Sequence, residues 1–89
     1  MTGQHPKPWT TRARTMVLYC PKDQWRYAIY NDEGVIDGAL PDVSPEADPE
    51  DAQAALLRQV EELTGHRYFA TWKLEEPRLW TAELETPTT

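Results

Sequence analysis

Two histidines, one cysteine and fifteen acids are the side chains in this chain from which catalysis or metal binding would have to be built. Such chemistry needs a nucleophile beside a base, paired carboxylates in a cleft, or a cluster of metal ligands. His5 sits in a polar N-terminal stretch and His66 follows Gly65, so a Cys20–His66 pair forms only if the tertiary fold brings the two together. Cys20 reads as a half-buried strand residue and His66 as a solvent-facing loop residue. A single cysteine makes no internal disulfide and no cysteine zinc site. The Cys20-Pro21 dipeptide occurs at haem thiolates elsewhere, but a dipeptide alone specifies no haem. Asn31-Asp32-Glu33-Gly34 looks like part of a calcium loop, yet it lacks alternating ligands, and Asp42 stands where the closing glutamate belongs. Those four residues read as a turn. Glycine loops for phosphate, paired zinc histidines on a helix and a serine elbow are all missing. The expectation is a chain that is not an enzyme, with no catalytic residue, no metal and no cofactor.

Composition narrows the field from the other side. Eighty-nine residues make one domain, and nine basic against fifteen acidic side chains leave a net charge of −6. That charge argues against general nucleic-acid binding, whose affinity comes largely from neutralising phosphates. At 39% hydrophobic, with four Trp and four Tyr, the chain has enough apolar surface to fold. No apolar run reaches the roughly 20 residues of a membrane span, and the N-terminus lacks a signal peptide's apolar stretch. The expectation is a small acidic domain of the cytoplasm, with no membrane partner.

Periodicity places the elements. Residues 1–14 carry Lys7, Arg12 and Arg14, no acid and no aliphatic pattern, and read as a flexible basic arm. Residues 15–20 are β-prone, and Pro21 ends them. Residues 25–30 alternate, with Trp25, Tyr27 and Ile29 on one face and Arg26, Ala28 and Tyr30 on the other. Asn31–Gly34 turns the chain into a third strand over 35–40, weakened or bulged at Gly38. The connection 41–51 holds three prolines and five acids. Asp48 is the best expected N-cap, with Pro49 in the first helical position and acids in the first turn. Ser44-Pro45-Glu46 offers a second start one turn earlier. The helix then buries Ala52, Leu56, Val60 and Leu63 and stops at Gly65. Residues 67–74 and 78–84 read as a closing hairpin, with Tyr68, Ala70, Trp72 and Leu74 sharing a face, and residues 85–89 as a loose tail. The fold class is therefore α+β: one antiparallel sheet in β-β-β-α-β-β order, residues 15–84, with the single helix packed on one face.

Charge and aromatic placement carry the functional expectation. Residues 31–53 hold eight acids and no base. Asp32, Glu33, Asp37, Asp42, Glu46 and Asp48 are the candidate partner-binding residues, docking a basic protein by charge complementarity. Trp25, Tyr27, Tyr68, Trp72 and Trp80 are expected beneath the helix. Tyr30, Phe69 and Arg26 fall on the other face, and Tyr30, Phe69 and Trp72 are the candidate aromatic surface. An exposed sheet with free edges favours a homodimer. Two other readings stand beside the acidic interaction module: a small-molecule or peptide binder using the aromatic face, and an accessory subunit of a larger enzyme.

The segment Val35-Ile36-Asp37-Gly38-Ala39-Leu40-Pro41-Asp42 resembles the strand and LPD/LPG turn of HicB-like antitoxins. In that family a few residues then lead into a Gly-Asp-Thr-x-Glu-Glu-Ala helix start. Ala47-Asp48-Pro49-Glu50-Asp51-Ala52 is similar to it, with Ala47 replacing the glycine, Pro49 the threonine and Asp51 the glutamate. The resemblance covers about a third of the chain. It implies a partly RNase H-like domain that neutralises a small basic RNA-cleaving toxin by covering its active surface. The family's C-terminal DNA-binding element has no counterpart here, so the resemblance carries no operator binding.

Overall fold

The computed structural model describes residues 12–87. The rest of the expected basic arm, with His5 and Lys7, lies outside the described residues, as do the last two residues of the tail. Three strands come first: β1 (Thr15–Tyr19), β2 (Arg26–Asn31) and β3 (Gly34–Ala39). Helix α1 (Pro49–Thr64) follows, and β4 (Phe69–Glu76) and β5 (Leu79–Glu85) close the chain. All five strands form one antiparallel sheet in the spatial order β3-β2-β1-β5-β4. The α+β class and the element order are those the periodicity predicts. The sequence leaves open that β5 lies beside β1, which puts β3 and β4 at the two edges.

Side-chain alternation makes a two-layer molecule. Even residues of β1 and odd residues of β2 face α1, so Met16, Leu18, Trp25, Tyr27 and Ile29 are buried. Ala82 and Leu84 of β5 join them, with Trp72 and Trp80 packed half-buried at the margin. From above, α1 supplies Ala52, Leu56, Val60 and Thr64. The stripe thus continues at a spacing of four to Thr64, where Leu63 was expected. Thr64 tolerates burial because its hydroxyl donates to the Val60 carbonyl at 2.8 Å; Leu63 is only half-buried. Gly65 ends the helix in the left-handed region (φ 75°), its N–H donating to the Glu61 carbonyl.

The folded part begins before the expected boundary at residue 15. Ala13 is buried, its N–H donates to the Tyr68 hydroxyl at 2.9 Å, and the Arg14 carbonyl accepts from Leu84 N–H. Composition misses this because Ala13 is flanked by two arginines. At the other end β5 runs to Glu85, and Arg12 reaches the Thr86 hydroxyl. Gly38 is not bulged: it pairs with Tyr27 in continuous register. Its missing side chain leaves a slot for the Tyr27 ring, since a Cβ there would stand 2.7 Å from the Tyr27 hydroxyl.

Candidate functional site

Asp32, Glu33, Asp37, Asp42, Glu46 and Asp48 are all exposed. β3 strings them along one margin of the molecule. Asp32 and Glu33 form the tip of the β2–β3 hairpin, which the Asn31 side chain closes by accepting from Glu33 N–H and Gly34 N–H. Asp37 lies mid-strand on the face away from α1, in register with Ala28. Asp42, Glu46 and Asp48 belong to the connection beyond the strand's far end. Six strand residues separate the two groups by about 20 Å. The acids therefore make a line, not one compact patch.

The connection that carries three of them is pinned. The Trp25 indole N–H donates to the Ser44 carbonyl at 2.8 Å, and Leu40 N–H donates to the Trp25 carbonyl at 2.9 Å. The Gln24 side chain donates to the Leu40 carbonyl, and Glu46 N–H donates to the Ser44 hydroxyl. Arg78 completes the brace from the β4–β5 turn: its Nε donates to the Cys20 carbonyl and its Nη2 to the Pro45 carbonyl, each at 3.1 Å. Its guanidinium lies 5.5 Å from the centre of the Trp25 ring, within cation–π range. Arg78 holds a left-handed backbone (φ 65°), a conformation that costs a non-glycine residue energy and is fixed here by these contacts. No sequence signal marks Arg78, because both its backbone state and its partners come from segments far away in the chain.

Asp48 stands at the N-cap with extended backbone, but its carboxylate makes no capping hydrogen bond; the carbonyl accepts from Asp51 N–H instead. Its carboxylate is exposed to solvent. Asp32 is ion-paired with Arg14 at 2.8 Å, both side chains more than half exposed, an arrangement of small energetic value. Tyr27 has its hydroxyl proton held more tightly than usual, first by burial and then by the nearby Asp37 charge. Its oxygen accepts from Gln59 Nε2 at 2.8 Å.

The expected aromatic surface divides. Tyr30 and Phe69 lie on the open face of the sheet, with Phe69 64% exposed. Trp72 does not join them. It is in register with Ala82, so it points to the helix side and packs against the core. A strand's period of two sets this outcome, since Phe69 and Trp72 are three residues apart. Cys20 and His66 also stay apart: Cys20 closes β1 at the Arg78 end, whereas His66 stacks edge-on with Tyr68, which bonds Ala13 at the opposite end. Among the described residues no group of three or more His, Cys, Asp or Glu is placed to hold a metal ion, and no helix is long and apolar enough to cross a membrane. Compared with known protein families, with characterised proteins and with solved structures, the chain matches none.

Proposed function

We propose that this chain is a non-enzymatic interaction module that docks a basic protein along its β3 margin. The observation that carries the reading is the pinned connection: Asp42, Glu46 and Asp48 are exposed on a segment that Trp25 and Arg78 hold in place. Charges on a braced loop need little ordering when a partner arrives, so more of their attraction is kept as affinity. The same segment carries the resemblance to HicB-like antitoxins, which supports sequestration of a small basic toxin-like protein as the purpose of docking. The test is capture from the native lysate at low salt by the wild type and by a variant neutralised at Asp32, Glu33, Asp42 and Asp48. The reading expects a small basic protein held by the wild type and lost by the folded variant. Equal retention by both would overturn it.

A homodimer through the open face is favoured by a separate observation. Asp37, Ala28, Val17, Thr81 and Lys73 form one row across the sheet, with opposite charges at its two ends. Two copies stacked face to face about a two-fold axis along β1 place each Asp37 against the other's Lys73, and Val17 against Val17. Sedimentation should show a dimer that Lys73→Asp weakens and the double exchange Asp37→Lys with Lys73→Asp restores. A wild type that stays monomeric at high concentration would rule the dimer out.

A further inference from the structure

The β3 margin offers more than charge. β3 is an edge strand, with β2 on one side and no described strand on the other. Leu40 N–H donates to the Trp25 carbonyl and Asn31 pairs with Gly34, so even-numbered residues turn their backbone groups toward β2. The alternation leaves the N–H and C=O groups of Val35, Asp37 and Ala39 directed outward. Beside this edge, on the helix side, lies a cavity of about 250 Å³ between α1 and the chain that leaves β3. Leu40, Val43 and Ala55 give it apolar walls, and Asp42, Arg58 and Glu62 line its polar part.

We infer that this edge accepts an extended segment of the basic partner as a sixth strand, with alternating basic and apolar side chains. An added strand points successive side chains to opposite faces. Its apolar residues then lie on the helix side, where Leu40, Val43 and Ala55 wall the cavity. Its basic residues lie on the open-face side against Asp37, and its ends run past Glu33 and Asp42. A second copy of β3 is disfavoured in the register centred on Asp37, which sets Asp37 beside Asp37, and like charges oppose that pairing. The other edge is a less regular acceptor, because the register of β4 shifts between Leu74 and Glu76.

This inference rests on the acidic-docking reading, and the experiment separates the two. The probe is an eight-residue peptide alternating Lys and Val. Its controls are the same peptide N-methylated at every residue, which keeps charge but loses the backbone donors, and an oligolysine of equal charge. Strand addition predicts that the unmethylated peptide binds and slows amide exchange at Val35, Asp37 and Ala39. It also predicts that methylation weakens binding about tenfold or more. Ala39→Pro should weaken the same peptide comparably while keeping every acid, because an outward N–H is dispensable to the β2–β3 ladder; circular dichroism verifies that the variant folds. Equal binding of methylated and unmethylated peptide, or unchanged exchange at those three amides, overturns strand addition and leaves acidic docking standing. Failure of all three peptides to bind overturns both.

Discussion

Tyr27 and Gly38 act as one unit across two strands. The ring occupies the space that glycine leaves, and Gln59 fixes the hydroxyl from the helix above. Gly38→Ala forces the ring outward or the strands apart, and overpacking of this kind costs about 1–3 kcal/mol, measurable by urea unfolding. Tyr27 also ties stability to alkaline pH. Its folded-state pKa lies above the ordinary tyrosine value of 10.0, so above that pH the folded state holds a proton that the unfolded chain releases. Its contribution is complete below pH 10 and is lost as pH rises through the folded value. Unfolding followed from neutral to strongly alkaline pH should show this loss in the wild type and a smaller one in Tyr27→Phe. The sequence marks Gly38 as unusual for a strand. It does not show the use, because which residue faces a glycine depends on the register between strands.

At the scale of elements, the connection 40–48 is held by Gln24 and Trp25, just before β2, and by the β4–β5 turn. Arg78→Ala removes two hydrogen bonds and a ring contact while keeping the unfavourable left-handed backbone, and should cost about 1–3 kcal/mol. Arg78→Gly should cost less, because glycine adopts that backbone freely. Both should speed amide exchange over residues 41–48 without melting α1. Asp48→Ala gives a contrasting expectation. A capping side chain contributes about 1 kcal/mol, but this carboxylate makes no cap bond, so its loss should cost about 0.5 kcal/mol or less. Helix and strands were legible because each follows a local period, and Pro49 and Gly65 mark the helix ends. The bracing was not, because Trp25, Ser44, Pro45 and Arg78 meet only in three dimensions. The grouping of Trp72 with Tyr30 and Phe69 failed for the same reason on a shorter scale: composition ignores parity, and parity decides the face.

For the whole molecule, one helix on a five-stranded sheet leaves, among the described residues, one face open and two edges unpaired. Even on the helix side, Leu74 is 59% exposed because the single helix does not cover the end of β4. The two edges differ in regularity, with β3 in continuous register and β4 shifted between Leu74 and Glu76. The acids were legible in the sequence as a block, but only β3's place at the sheet edge turns the block into a line beside an unpaired strand. The proposed docking of a basic partner here rests on forces that salt screens within about 8 Å at physiological ionic strength. The most direct measurement is therefore stepwise salt elution of proteins captured from the native lysate on the immobilised chain, beside the variant neutralised at Asp32, Glu33, Asp42 and Asp48. The account predicts a small basic protein that leaves the wild type as salt rises and never loads onto the variant. Recovery of no basic protein at low salt, or one that elutes at the same salt from both, would contradict it.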